Sequence, residues 1–210
     1  MRIALFCLIL LFTGHAAGAP ARTNHAAVLV LGDSLSAAYG IPREAGWVEL
    51  LAQRLAARTP PLTLVNASVS GETSAGGLTR LPAVLKTHRP RLLVLALGAN
   101  DGLRGLPPAD TARNLEAMIR LARAGNVRVL LVGMRLPPNY GSAYTAKFQA
   151  LYAQLAQRHR LALVPFLLEG MADRRERFQA DGLHPDAQAQ PVLLENVWRG
   201  LKPLLPQPDR

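Results

Sequence analysis

An α/β fold with a parallel sheet is the class of structure that the sequence predicts. Short apolar runs alternate along the chain with segments whose apolar residues recur at helical spacing. The runs show no alternation with polar residues, as is typical of strands that helices cover on both faces. With right-handed crossovers, five such strands give a three-layer α/β/α sandwich of flavodoxin-like order.

Five apolar runs have the length of buried strands. They cover residues 26–31, 62–65, 92–97, 127–132 and 161–164. Polar loops follow the first three strands, and the carboxyl ends of parallel strands lie at one edge of the sheet. We therefore expect these loops to meet at that edge.

Five segments are predicted to be helices, and four of them have one apolar face. They cover residues 46–57, 79–87, 107–124, 142–159 and 190–201. Pro60-Pro61 and Arg89-Pro90 end the first two, Asp110 is the expected cap of the third, and Pro191 fits the first turn of the last. The inward faces comprise Trp47, Leu50, Leu51 and Leu55; Thr111, Leu115, Met118, Ile119 and Ala122; Tyr144, Phe148, Leu151, Tyr152 and Leu155; and Leu194, Val197, Trp198 and Leu201.

The chain of 210 residues fits one domain, preceded by a targeting segment. Residues 1–21 read as a secretory signal peptide, because Arg2 precedes a short apolar run and small residues follow it. An uncleaved membrane anchor is the alternative, although the run is short for a bilayer. We expect a periplasmic or secreted protein with its folded domain at 26–203 and a loose tail at 204–210.

Composition excludes several kinds of site. The only cysteine, Cys7, lies in the predicted signal peptide, so the mature chain offers no thiol for disulfides, nucleophilic attack or zinc-thiolate sites. The net charge of +10 comes mainly from scattered arginines that are not interleaved with aromatics, so we expect no nucleic-acid partner. Such a surface can make transient contact with anionic membrane lipid.

Ser34 follows the first strand in Gly32-Asp33-Ser34, at the sheet edge where open α/β folds place their chemistry. A serine needs a base to take its proton. His184 is the candidate, because it lies in the loop before the last helix with Asp181 three residues upstream. Such a carboxylate can orient the imidazole. A plain turn serine and a loop that starts a helix are the alternatives.

An acyl-transfer site also needs donors for the developing oxyanion. Gly71 can bring its backbone N–H close because it lacks a side chain, and Asn100 can donate from its amide. The N–H of Ser34 is the third candidate. A turn glycine and an Asx turn are the structural alternatives.

These residues resemble the four sequence blocks of the GDSL or SGNH hydrolases. The blocks are Gly32-Asp33-Ser34-Leu35-Ser36, Gly71, Gly98-Ala99-Asn100-Asp101 and Asp181-x-x-His184. Residues 65–74, 100–105 and 135–141 are similar to the bacterial branch of multifunctional acyl-CoA thioesterases, proteases and lysophospholipases, and to related arylesterases. Residue 36 is serine, so the corner is not the Gly-x-Ser-x-Gly elbow of α/β-hydrolases.

The resemblance implies an SGNH hydrolase fold and a serine esterase that acts through an acyl-enzyme. Ser34 would be the nucleophile, His184 the general base and Asp181 its orienter. The Ser34 N–H, the Gly71 N–H and Asn100 would form the oxyanion hole. No cofactor or metal is expected, and a monomer acting on acyl esters, thioesters or lysophospholipids is implied.

Apolar residues of the loops after the third and fourth strands supply an expected acyl groove. Those residues are Leu103, Leu106, Leu136 and Pro137. A carbohydrate O-deacetylase of the same superfamily and a non-catalytic exported lipid-binding protein are the alternatives. A dinucleotide or phosphate binder fits poorly, because no G-x-G-x-x-G or Walker motif follows a strand.

Overall fold

Five parallel strands form one sheet in the order β2-β1-β3-β4-β5. The structure, a computed structural model, describes residues 27–206. The predicted signal peptide and residues 207–210 lie outside that part. The strands are β1 (Val28–Gly32), β2 (Leu64–Asn66), β3 (Leu92–Ala96), β4 (Arg128–Val132) and β5 (Ala162–Val164). The predicted parallel α/β architecture is confirmed.

Helices cover both faces of the sheet. They are α1 (Trp47–Ala56), α2 (Ser74–His88), α3 (Ala99–Leu103), α4 (Pro108–Ala124), α5 (Ser142–His159) and α6 (Gln190–Leu201). Alternate residues of β1 point to opposite sides: Val28 and Val30 pack with α1 and α6, whereas Leu29 and Leu31 pack with α2, α4 and α5. The fully buried strands therefore carry two apolar cores, as three layers require.

The predicted start of α2 and the predicted cap of α4 were wrong. We expected α2 to begin at residue 79. The helix begins five residues earlier, where the hydroxyl of Thr73 caps the N–H of Gly76 and a side chain at Gly77 would collide with Leu97. Asp110 is not a cap; α4 begins at Pro108, whose missing N–H needs no helical partner, and Asp110 pairs with Arg113 in the first turn.

The packed chain extends past Pro203, where we expected a loose tail to begin. Leu205 is buried, and Leu204 packs against the core on the α1 and α6 side. A guanidinium N–H of Arg58 donates to the carbonyl of Pro206 at 2.9 Å. Within residues 27–206, no helix is both long and apolar enough to cross a membrane.

Candidate active site

The chain turns sharply after β1 and leaves Ser34 half-buried at the carboxyl edge of the sheet. The carbonyl of Asp33 accepts the N–H groups of Ser36 and Ala37, and its Oδ1 accepts the N–H of Leu35 at 3.0 Å. A side chain at position 32 would come within 2.6 Å of the Ser36 hydroxyl, so glycine is needed there. The corner thus fixes Ser34 by local contacts.

His184 reaches Ser34 from the loop before α6. Its Nε2 lies 2.8 Å from the Ser34 Oγ, although 150 residues separate the two in sequence. The N–H of Gln179 donates to the carbonyl of His184 at 2.8 Å, and Phe178 and Pro185 form an antiparallel bridge. This narrow loop holds the imidazole over the serine.

Asp181 binds the other side of the imidazole. Its Oδ2 lies 2.6 Å from the His184 Nδ1, and its Oδ1 accepts the N–H groups of His184 at 3.0 Å and Leu183 at 2.9 Å. The backbone N–H of His184, its imidazole and the Leu183 N–H lower the pKa of Asp181 to about 2. Asp181 is therefore a carboxylate at neutral pH, which favours the tautomer with a proton on Nδ1 and a free Nε2 facing Ser34.

Two loops bring hydrogen-bond donors to the same edge. Gly71 has a φ of +78°, a conformation that favours glycine, and its carbonyl accepts from Arg104 at 2.9 Å. Within residues 27–206, the N–H groups of Gly71 and Ser34 donate to no protein acceptor. The Asn100 Nδ2 donates to the carbonyl of Glu72 at 3.0 Å, and its second hydrogen can serve an oxyanion.

Asn100 lies in α3, where the sequence predicted a loop. The turn into α3 requires Gly98, because its φ is +115° and any side chain at this position would collide with the Tyr152 hydroxyl. The next residue, Asp101, is buried and accepts the Ser74 N–H at 2.8 Å and its hydroxyl at 2.5 Å. This pair ties α3 to the start of α2, so Asn100 and the Gly71 loop are held as one unit.

A cavity of about 810 Å³ opens over these groups. Its walls include the polar residues Ser34, Gly71, Asn100 and His184, and the apolar residues Leu103, Leu136 and Pro137 that we predicted for an acyl groove. Asp181 lies behind the imidazole and does not line the cavity.

Leu106 is not in the cavity wall, contrary to our prediction. Its side chain is 40% exposed. Gly105, with a φ of +69°, turns the chain away after α3, and the Leu106 backbone is bound to the Asp101 carbonyl and the Tyr144 hydroxyl. The loop therefore presents Leu103 to the cavity and leaves Leu106 outside.

Two residues that the sequence did not single out hold the serine and histidine loops together. The ring of Tyr39 lies 4.5 Å from that of His184, measured between centroids. The Gln179 Nε2 donates to the carbonyls of Tyr39 at 2.8 Å and Pro185 at 3.1 Å. The available signal was an aromatic residue five positions after the serine, and spacing alone assigns it no role.

Asp33 is a buried carboxyl directly beside the nucleophile. Burial raises its pKa from the usual 3.8 to about 7, and its Oδ2 has no hydrogen-bond partner within residues 27–206. The Leu35 N–H and the nearby His184 imidazole lower the pKa of Asp33, but less than burial raises it. Over the same residues, no group of three or more His, Cys, Asp or Glu side chains could hold a metal ion.

The chain is similar to characterised bacterial hydrolases along most of its length. It is 53% identical over 178 residues to Esterase TesA of Pseudomonas aeruginosa, covering 85% of this chain and 89% of the relative. It is 40% identical over 200 residues to Thioesterase 1/protease 1/lysophospholipase L1 of Escherichia coli K12, covering 95% and 92%.

The fold is similar to that of solved esterases. The structure of the psychrotrophic esterase EstA from Pseudoalteromonas sp., inhibited by monoethylphosphonate, superposes with a TM-score of 0.80. That match has 39% identity and covers 84% of this chain and 97% of EstA. The family model of the GDSL-like lipases and acylhydrolases matches residues 30–190, and the chain therefore belongs to the GDSL-like Lipase/Acylhydrolase family.

Proposed function

We propose that the protein is a serine esterase that hydrolyses carboxylic esters and thioesters of acyl chains. The observation that carries this proposal is the hydrogen-bonded series Ser34–His184–Asp181, which opens on a cavity with apolar walls. Relatives named esterase, thioesterase and lysophospholipase support it. The bond cleaved is the one between an acyl carbon and its oxygen or sulfur.

In the first half-reaction, the Ser34 Oγ attacks the acyl carbon while the His184 Nε2 accepts its proton. The carbonyl oxygen becomes an oxyanion, and the N–H groups of Ser34 and Gly71 and the Asn100 amide stabilise it. The Asp181 carboxylate stabilises the imidazolium that forms. Collapse of the tetrahedral intermediate expels the alcohol or thiol, which receives its proton from His184.

In the second half-reaction, water attacks the acyl-Ser34 ester. His184 accepts a proton from the water, and the same donors stabilise the second oxyanion. Collapse releases a carboxylic acid and returns the proton to Ser34. Each bond that forms is matched by one that breaks, and no cofactor enters the balance.

The walls of the cavity indicate the acyl group. Leu103, Leu136 and Pro137 offer apolar surface in the cavity that Ser34 also lines, so an alkyl chain gains more from this cavity than an acetyl group does. A sugar ring would favour walls in which polar and aromatic groups predominate, and a carbohydrate deacetylase is the alternative. Tyr39, Phe166 and Phe178 also line the cavity, so the preference for an alkyl chain rests on the leucines and prolines of the loops after β3 and β4. All site groups come from one chain, which supports action as a monomer.

The decisive experiment labels the protein with a fluorophosphonate and measures hydrolysis of p-nitrophenyl esters. Ser34→Ala is expected to abolish labelling and to lower kcat at least about a thousandfold, as for loss of a triad member. Ser70→Ala is the matched control, because Ser70 lines the same cavity without contacting His184. Near-normal turnover by Ser34→Ala would exclude the mechanism.

Export is a second part of the proposal. Its support is the sequence of residues 1–21, a charged start followed by an apolar run and small residues. Those residues lie outside the described part of the chain. Expression of the full chain should yield a periplasmic or secreted product that begins between Pro20 and Ala27, as read by N-terminal sequencing. A product that keeps Met1 and stays inside the cell would contradict export.

A further inference from the structure

The end of the sheet opposite the cavity is strongly basic. The helices α2, α4 and α5 lie on one face, and they end where β3, β4 and β5 begin. The exposed cations there form what we call the basic end. They are Lys86, Arg89, Arg91, Arg123, Arg128, Arg158 and Arg160.

These cations come from separate elements but lie close to one another. The N–H of Arg128 donates to the carbonyl of Arg91 at 3.0 Å, so the two strand starts are adjacent. A guanidinium N–H of Arg123 donates to the carbonyl of His159 at 2.9 Å, which joins the ends of α4 and α5. The basic end is therefore one continuous surface.

Acidic groups do not balance this surface. In the described chain, Glu116 is the one carboxylate on the second halves of α2, α4 and α5 and on the starts of β3 and β4. It is already bound to Arg120, His159 and Arg158, and the first two lower its pKa most. Acids such as Asp173 and Asp181 lie at the cavity end, where they are mixed with cations such as Arg135 and Arg175, whereas the basic end carries cations almost alone.

Helix chemistry explains only some of these cations. A positive side chain at a helix C-terminus complements the helix dipole, which accounts for Lys86, Arg123 and Arg158. Arg91 and Arg128 stand at strand starts, where no such dipole acts. The helix dipole therefore does not account for these two arginines.

We propose that the basic end docks on an anionic lipid membrane and leaves the cavity facing away from it. The cations spread over helix ends and strand starts, and each cation near an anionic bilayer adds to its attraction. Leu121, in the last turn of α4, is 41% exposed among them and can enter the headgroup layer. Within the described chain this end exposes no Phe, Tyr or Trp on which nucleobases could stack, which disfavours a nucleic acid.

The test measures co-sedimentation of the full mature chain with vesicles. We expect binding to phosphatidylcholine vesicles that contain about 30 mol % phosphatidylglycerol, and none to phosphatidylcholine alone. Binding should weaken as salt rises well above about 0.15 M. Binding that is equal on both vesicles, or insensitive to salt, would overturn the proposal even without a variant.

Charge-reversal variants locate the surface. The variant Lys86→Glu, Arg91→Glu, Arg128→Glu should lose at least about a hundredfold in vesicle partition coefficient. The variant Arg43→Glu, Arg113→Glu, Lys147→Glu makes the same charge change at exposed sites away from the basic end and should keep most of the binding. Equal losses in both variants would show a net-charge effect and overturn the location.

Activity separates this inference from the proposed esterase chemistry. Both triple variants should hydrolyse soluble p-nitrophenyl acetate like the parent chain, which also shows that they fold. Parent enzyme bound to vesicles should turn over that ester at the rate of free enzyme, because the cavity opens at the other end. Suppressed turnover on binding would contradict the orientation, and tighter binding to duplex DNA than to vesicles would identify a nucleic-acid surface instead.

Discussion

The phenol ring of Tyr39 lies against the imidazole of His184, with their planes inclined at 41°. Tyr39 is 51% exposed, so its ring stands between one side of the imidazole and the solvent. The carbonyl of Tyr39 is bound to Gln179, which also binds Pro185 next to the histidine. The turn after the serine thus restricts the movement of the base.

Removal of this ring should slow catalysis without abolishing it. Tyr39→Ala is expected to lower kcat about 2- to 10-fold, because an aromatic pair contributes about 0.5–1.5 kcal/mol. KM for a short ester should change little, and Tyr39→Phe should restore kcat because the ring is retained. Steady-state kinetics with p-nitrophenyl acetate measures both effects. A Tyr39→Phe variant as slow as Tyr39→Ala would assign the effect to the hydroxyl.

Loss of the Asn100 amide should remove an oxyanion donor. Asn100→Ala is expected to lower kcat about 10²- to 10³-fold with little change in KM, the size seen for one such donor. Asn114→Ala is the matched control, because its amide is also bound near α2, to the Ser74 hydroxyl, but lies away from the cavity wall. If the two variants lose equal activity, the role of Asn100 is structural.

The cavity wall predicts which leucine selects long acyl chains. Leu136→Ser should raise KM for a decanoyl ester several-fold more than for an acetyl ester, because it removes apolar surface from the wall. Leu106→Ser should leave both values near those of the parent chain, since that side chain already contacts solvent. If Leu106→Ser raised KM for the decanoyl ester as much as Leu136→Ser does, Leu106 would belong to the groove.

The buried carboxyl of Asp33 should make stability depend on pH. In the folded chain the Asp33 carboxyl keeps its proton up to about pH 7, whereas in the unfolded chain it releases the proton near its usual pKa of 3.8. The folded state therefore binds more protons between these values, and the Asp33 contribution to stability falls as pH rises through this window. Asp181 acts in the opposite direction, but its effect is complete above its unfolded pKa, so it does not vary there.

Urea unfolding of the parent chain and of Asp33→Asn at pH 5 and pH 7.5 measures the effect. From pH 5 to pH 7.5 the free energy of unfolding of the parent should fall by about 2–3 kcal/mol more than that of the variant. This is the value for a proton that the folded state keeps over roughly two pH units. Asn keeps an acceptor for the Leu35 N–H, so the corner itself is preserved. Parallel losses in the two proteins would show that Asp33 is ionised in the fold.

Sequence periodicity was sufficient for the sheet but not for every helix boundary. Strands buried on both faces, such as β3, have a pattern that no surface segment shares. The start of α2 was missed because two glycines usually indicate a loop, whereas Gly77 is needed for the close approach of Leu97. Local patterns do not reveal that a small residue serves a distant contact.

In the candidate site, too, the sequence identified some contacts and could not indicate others. Asp181 and His184 were paired in advance because three residues separate them, so one turn can join them. The role of Gln179 depends on contact with Tyr39, 140 residues earlier, which spacing cannot indicate. Leu106 was placed in the groove from its loop, but the direction of its side chain depends on the turn at Gly105.

Ser34 and His184 touch in the fold, but in sequence they lie near opposite ends of the domain, 150 residues apart. That separation in sequence determines how much of the chain must be present before the site can form. During synthesis, a chain long enough to build β1, β3 and β4 carries the serine but no base to activate it. The backbone N–H of Trp47, at the start of α1, donates to the Gln190 side chain at 3.0 Å. This contact, too, forms only when the end of the chain is present. Hydrolysis of acyl esters therefore requires the whole domain, from β1 to the loop before α6, to be present and folded.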